Sequence, residues 1–216
     1  KGDLAERQVV VSAGGTREPV DPVRFIGNRS SGKMGYAIAE AARDRGAVVT
    51  LITSAERTPP TGIEVMRVET ALEMRDAVLK ASAAADVLIM AAAVADYRPT
   101  RAAESKMKRE AESLTLELEK TPDILSEVGN DLVKVGFAAE SEDMLARAGE
   151  KLRRKGLDLI AANDITAKDS GFGTDTNRVT LIDREGRVEQ LPLMSKSEVA
   201  ERILDRVVEL LTGRRD

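Results

Sequence analysis

Short β-branched runs alternate with longer stretches of helical period along this chain. "RQVVVSAGG" (7–15) is an apolar run that ends in glycines, the pattern of a buried parallel strand emptying into a loop. From Ser30 or Ser31 the period changes. "GKMGYAIAEAARDRGA" sets Met34, Ile38, Ala41 and Ala42 at helical spacing, with one of the serines as the expected N-cap and Gly46 as the stop. "VVTLITS" (48–54) and "IEVMRVE" (63–69) follow as strands, and "ALEMRDAVLKASAA" as an amphipathic helix. "DVLIMAAAVAD" (86–96) is a strand whose end runs into small residues. This β-α-β-β-α-β order predicts an α/β, Rossmann-like, doubly wound and mostly parallel sheet with helices on both faces.

The second half extends the pattern. "SLTLELEK" (113–120) alternates as a half-exposed strand does, and in "TPDILSEVGN" Thr121 is placed to cap a helix with Pro122 at its first position. "VKVGFAAE" (133–140) and "LDLIAAND" (157–164) read as buried strands. Between them lies a helix capped by Ser141 and stopped by Gly156. "RVTLIDREGRVEQLP" (178–192) predicts a β-hairpin around Glu185-Gly186, and "SKSEVAERILDRVVELL" a closing helix. With no repeat and no linker-like tract, residues 1–216 read as one domain, and 101–113 as a mobile loop.

Composition narrows the chemistry. The chain has no Cys, which excludes disulfides, thiolate metal sites and cysteine nucleophiles, and no His, which removes the usual general base. What remains suits reactions driven by positioning and charge stabilisation, such as phosphoryl or nucleotidyl transfer. A formal charge of -4 offers no general attraction to nucleic acid, so an anionic ligand must be met by local charge. No segment reaches the roughly 18 apolar residues of a membrane span. Lys1 to Arg7 is too polar for a secretory leader, and the cytoplasm is the expected compartment.

In a doubly wound sheet the ligand crevice lies beyond the carboxyl ends of the strands. Four predicted ends carry small or polar residues: Ala13 to Thr16, Ala91 to Asp96, Phe137 to Glu140, and Ala162 to Asp164. "GNRSSGKM" (27–34) nearly spells a P-loop, but Met34 stands where a magnesium-binding hydroxyl belongs, and the loop from Gly14 is far too long. It reads instead as part of an anion-binding loop plus a helix start, and Lys33 is left out of the catalytic candidates. Arg24 can grip a phosphate or carboxylate, and Asn28 can donate to a developing oxyanion. Lys151 and Lys155 share a helix face, able either to straddle a polyphosphate or to complement the helix dipole. A nicotinamide reductase is disfavoured: G-x-G-x-x-G is missing, and Arg101 stands where the lysine of Tyr-x-x-x-Lys would fall after Tyr97. A nucleotide-sensing module without turnover is the non-catalytic alternative.

"AGGTREPVDPVRFIGNRSSGKMG", "AAAVADYRP", "KMK", "TPDIL", "VGFAAE", "LDLIAANDI" and "FGTDTN", in this order, resemble phosphopantothenoylcysteine synthetases of the bacterial, CTP-dependent kind. The resemblance implies a phosphopantothenate–cysteine ligase of coenzyme A biosynthesis. In that family CTP activates the carboxylate of 4'-phosphopantothenate as an acyl-cytidylate, releasing pyrophosphate, and the amine of cysteine then displaces CMP. It further implies a homodimer, Mg2+ arriving with CTP rather than in a protein cage, and FMN only in a decarboxylase domain to which such chains are often fused. The start at Lys1 fits a chain excised from such a fusion. By motif, Asn28 corresponds to the asparagine that promotes cysteine attack and Arg24 to an arginine of the phosphopantothenate site. Met90, Ala91, Ala92, Asp96, Lys106, Pro122, Asp123, Ile124, Leu125, Phe137, Lys151 and Lys155 correspond to CTP-contacting positions, with Lys106 and Lys108 on a mobile flap. Gly27 and Arg29 depart from the commoner serine and histidine, and the flap between Lys108 and Leu114 is short.

Overall fold

The apolar runs assemble into one large sheet. The computed structural model describes residues 2–107, 113–140, 144–164 and 175–214. The first half contains β1 (Gln8–Ala13), β2 (Arg17–Asp21), β3 (Arg24–Gly27), α1 (Lys33–Asp44), β4 (Val48–Thr53), β5 (Glu64–Arg67), α2 (Ala71–Ser82) and β6 (Val87–Met90). β7 (Tyr97–Pro99), β8 (Leu118–Lys120), α3 (Ile124–Glu127), β9 (Val133–Glu140), α4 (Met144–Lys155) and β10 (Leu159–Asp164) follow. The chain closes with β11 (Thr176–Asn177), β12 (Val179–Asp183), β13 (Val188–Gln190), β14 (Met194–Ser195) and α5 (Lys196–Gly213). Among the described residues the central sheet runs β13-β12-β10-β9-β6-β1-β4-β5. β5 to β10 are parallel across it, and β12 and β13 extend one edge antiparallel. The predicted doubly wound sheet is therefore present, with its order reversing between β1 and β6.

Alternation sorts the side chains onto two core layers. Val9, Val11, Leu51, Ile89, Val135 and Leu159 face α1 and α5, meeting Ile38, Ile203 and Leu204. Val10, Ile52, Leu88 and Ile160 face the other way, onto Met74 and Val78 of α2 and Leu152 of α4. Each such large side chain, taken fully out of water, contributes about 1.5–3 kcal/mol. Thr70 with Glu73 and Ser195 with Glu198 form capping boxes that start α2 and α5. No helix among the described residues is long and apolar enough to cross a membrane.

Several local expectations are corrected. α1 is capped by Gly32, not by Ser30 or Ser31: Gly32 takes a left-handed φ of 76°, and a Cβ there would lie 2.8 Å from Ala55 Cβ. Thr121 does not cap α3. Its hydroxyl donates to Ala95 O at 2.6 Å, and the short helix begins after Asp123. The segment Gly14 to Ser31, read as loop, contains the β2–β3 hairpin. The strand expected over 86–96 stops at Met90. Of "SLTLELEK" only Leu118–Lys120 is strand; it pairs with β7 apart from the central sheet, and Leu114, Leu116 and Leu118 are exposed. The 178–192 hairpin forms around Gly186, at φ 86°, and is the sheet's antiparallel edge. Ser141, expected as a cap, and most of the polar stretch after Met107 lie outside the described residues.

Candidate functional site

The polar residues buried at the carboxyl ends of β1 and β6 have a common purpose. Ser12 and Thr16 are fully buried. Ser12 Oγ accepts from Ala92 N at 3.1 Å, and Thr16 Oγ1 from Ala95 N at 2.9 Å. Ala93 N donates to Gly14 O at 2.8 Å, and Thr121 N to Asp96 O at 3.0 Å. These bonds satisfy the backbone of Ala91 to Asp96, which would otherwise lose stability by leaving water unpaired. They hold that loop open at the topological switch point.

A cavity of about 750 Å³ lies there. It falls within the range of small-molecule sites. Met90, Ala91, Ala92 and Asp96 line it from β6 and its loop, Pro122, Asp123, Ile124 and Leu125 from α3, Phe137 from β9, and Lys151 and Lys155 from α4. Asn28 reaches it from the other side, its Nδ2 donating to Ala93 O and Val94 O at 3.3 Å each. Lys151 Nζ donates to Phe137 O at 2.6 Å, and Lys155 Nζ lies 3.1 Å from Asp123 Oδ1. Burial alone would raise the Asp123 pKa, but Lys155 and Ser126 outweigh it and hold the carboxyl below its usual range. Among the described residues, Lys33, Lys120, Lys151, Arg154, Lys155 and Lys196 line the cavity against Asp96 and Asp123 as acids. The cleft of a net-negative chain is thus positively lined.

Two expected site residues lie elsewhere. Arg24 and Lys106 do not line this cavity. Arg24, on β3, donates from Nη2 to Met107 O at 3.1 Å and stands 3.5 Å from Asp21 Oδ2. Asp21 in turn accepts from Met107 N at 3.2 Å, so the β2–β3 hairpin carries the segment that bears Lys106. Burial raises the Asp21 pKa, yet the N–H groups of Val23 and Met107 and the Arg24 charge bring it below its usual value. Lys108, the other flap lysine, is outside the described residues. The structure thus joins Arg24 to the Lys106 segment, and joins Asn28 to the remaining candidates.

Sequence reasoning missed part of the wall. Lys33, not among the catalytic candidates, lines the cleft, as do Asn163, Asn177 and Lys196. Asn163 had a signal in its strand-end position, and Asn177 in the motif that contains it. Lys196 had one faint signal, a cation in the first turn of a helix, where the dipole disfavours it. Its pKa is lowered by burial and then by the Lys33 charge, with Asp175 pulling the other way. Among the described residues no three acidic side chains gather as a metal cage.

A doubly wound α/β domain with a positively lined cleft at its switch point has the architecture of a domain for nucleotides or other anionic metabolites. Comparison with known proteins names the family. The model for the DNA/pantothenate metabolism flavoprotein C-terminal domain matches residues 4–211, and the chain belongs to that family. It is 47% identical over 212 residues to the coenzyme A biosynthesis bifunctional protein CoaBC of Bacillus subtilis, covering 96% of this chain and 52% of that protein. It is 46% identical over 227 residues to the CoaBC of Mycobacterium tuberculosis (strain H37Rv), covering 98% and 54%. The chain spans about half the length of the curated relatives it matches. Among solved structures, the C-terminal domain of a CoaBC superposes with a TM-score of 0.84 at 39% identity, covering 99% of this chain and 100% of that one. The DNA/pantothenate metabolism flavoprotein of Streptococcus pneumoniae gives a TM-score of 0.80 at 25% identity, covering 93% and 98%.

Proposed function

We propose that this chain is a phosphopantothenate–cysteine ligase acting in coenzyme A biosynthesis and driven by CTP. The observation that carries the reading is the positive cleft at the β1–β6 switch point, set in a chain whose formal charge is -4. Membership of a family whose relatives include coenzyme A biosynthesis proteins supports the substrate class. A carboxylate oxygen of 4'-phosphopantothenate bonds to the α-phosphorus of CTP, the bond from that phosphorus to the bridging oxygen breaks, and pyrophosphate departs. The amine of cysteine then attacks the acyl carbon and CMP leaves. Cations on the walls offset the phosphate charge, an effect worth most where water is excluded. Asn28 is suited to the second step once its Nδ2 exchanges the 3.3 Å carbonyl contacts for the substrate oxyanion. Asp96 and Asp123 are the acids on the cleft wall among the described residues, so magnesium suits the site as an ion carried in by the triphosphate.

A second copy of the chain is the proposed partner. Val23, Phe25, Tyr97, Leu114 and Leu118 are exposed on the β2–β3 and β7–β8 hairpins, an apolar surface of the kind that marks an interface. Arg24 and Lys106 stand beside that surface, where a dimer would bring them near bound substrate. The test is pyrophosphate release with CTP, 4'-phosphopantothenate and cysteine, with each omitted in turn. Release that needs CTP and the acid, and amide formation that also needs cysteine, is expected. CTP binding without turnover would leave a sensing module, and nicotinamide oxidation in its place would leave a reductase. Lys106→Gln is expected to lose acyl-cytidylate formation with the fold intact, and Asn28→Asp to slow only the cysteine step.

A further inference from the structure

We propose that Lys196 is a phosphate-binding residue of the cleft, taking the terminal phosphates of the nucleoside triphosphate that leave as pyrophosphate. The inference rests on the ligase reading above and adds a residue from the far end of the chain. Lys196 is 8% exposed and lines the cavity. Its Nζ lies 3.2 Å from Asn177 Oδ1, and Asn177 Nδ2 lies 3.8 Å from Met34 Sδ, which seats the pair against the start of α1. The β11–β14 pairing and the bond from Lys196 N to Asp175 O at 3.0 Å fix the backbone on which both are carried.

Lysine is seldom this buried in a folded protein unless a charge partner or a ligand needs it there. Lys33 and Lys196 act on the same aspartate: Asp175 Oδ1 is 2.6 Å from Lys33 Nζ, and both lysines lower its pKa. Each lysine also occupies the first position of its helix, α1 or α5, next to the positive end of the dipole. Such breaches of local preference are expected where a binding site requires them. On the opposite wall Lys155 is tied to Asp123 and Lys151 to the Phe137 carbonyl, beside Ala91, Ala92 and Phe137. The α4 side therefore suits the nucleoside, and the α1–α5 side the oxygen-rich phosphates. When the α-phosphorus bond to the bridging oxygen breaks, its electron pair stays on pyrophosphate, and the Lys196 ammonium stabilises that charge.

The test compares CTP, CMP and inorganic pyrophosphate by titration calorimetry on wild type, Lys196→Met and Lys196→Arg. Without the charge-assisted hydrogen bond to the terminal phosphates, CTP and pyrophosphate are expected to bind about 10- to 100-fold more weakly to Lys196→Met. CMP is expected to bind within about threefold of wild type, and arginine to restore most of the affinity. Equal weakening of CTP and CMP, or unchanged CTP affinity, would overturn the assignment. If wild type neither binds CTP nor releases pyrophosphate, the ligase reading falls instead; pyrophosphate binding abolished only in Lys196→Met would then still support a phosphate-binding Lys196, and its absence in wild type would remove that too. Should Lys196→Met fail to fold, Asn177→Ala keeps the charge and removes its seat. Selective weakening of CTP over CMP supports the assignment there, and equal or no change refutes it.

Discussion

Replacing Thr16 with valine tests whether the loop at the switch point is held by the buried hydroxyls of β1 and its continuation. Thr16 is fully buried, and its Oγ1 accepts the only proton of Ala95 N at 2.9 Å; Ala95 itself is 6% exposed. Valine preserves the shape but removes the acceptor, leaving an amide that neither protein nor bulk water satisfies. Such an orphaned donor costs about 1–3 kcal/mol. For a chain of this size each kcal/mol lowers the melting temperature by about 2–4 °C, so the expected fall is about 2–12 °C. Thr16→Ser keeps the acceptor and loses one methyl, a change of about 1 kcal/mol. Scanning calorimetry with urea unfolding followed by circular dichroism measures both. Because Ala91 to Asp96 line the cleft, Thr16→Val is also expected to weaken CTP binding more than Thr16→Ser does. A valine variant within about 0.5 kcal/mol of wild type, the usual scatter for an unimportant site, or a serine variant equally damaged, would refute the reasoning.

Other perturbations address the packing, the charge and the assembly. A Cβ on Gly35 would lie 2.6 Å from Ala13 Cβ and 2.8 Å from Ser12 O, so Gly35→Ala is expected to push α1 off β1 at a cost of about 1–3 kcal/mol. Gly149, inside α4, has nothing among the described residues nearer to a new Cβ than an Arg153 guanidinium nitrogen at 3.8 Å, so Gly149→Ala is expected to gain about 0.5–1 kcal/mol; paired melting curves that fail to move in opposite directions would contradict this. Lys134 is buried, and burial, with Arg214 and Arg184 beyond it, lowers its pKa despite Asp158. Between the lowered folded value and 10.5 the unfolded chain binds more protons, so wild-type stability rises with pH relative to Lys134→Met. Urea midpoints from pH 8 upward check it, and parallel curves would reject it. Phe25, 55% exposed on the β2–β3 hairpin, is the residue to charge for assembly. If the chain pairs with a second copy as proposed, Phe25→Glu is expected to shift it toward monomer in light scattering, and a dimer that Phe25→Glu leaves unaltered would move the interface elsewhere.

Buried strands and long helices were legible because their periods are written locally. The run that holds Val9 and Val11 read as a buried strand, and both lie in the core. The strand ends with small residues also pointed to a crevice, since parallel crossovers place those ends on one rim. "SLTLELEK" shows the limit: alternation describes a pleat but not what stands against it, and β8 pairs with β7 outside the central sheet. The β2–β3 hairpin escaped notice because Arg17 to Gly27 mixes Pro, charged and apolar residues with no sustained period. Gly32 rather than a serine capped α1 because Ala55, from another strand's end, left no space for a side chain. Lys196 was passed over as a wall of the cleft, since apart from its place in a first helical turn a lysine in "SKSEVAERIL" looks like ordinary helix surface.

From its sequence alone, then, this chain determined its α/β class, the buried strands and the strand ends that rim the cleft, because hydrophobic period and strand-end chemistry act over a few neighbours; wall residues such as Pro122 to Leu125 came instead from the family resemblance. Which lysines share a wall, where Arg24 and Lys106 stand, and how Asn177 comes to meet both Met34 and Lys196 were decided only by tertiary structure. Those juxtapositions join segments far apart along the chain, and chain separation carries no trace of distance in space until the sheet order is set.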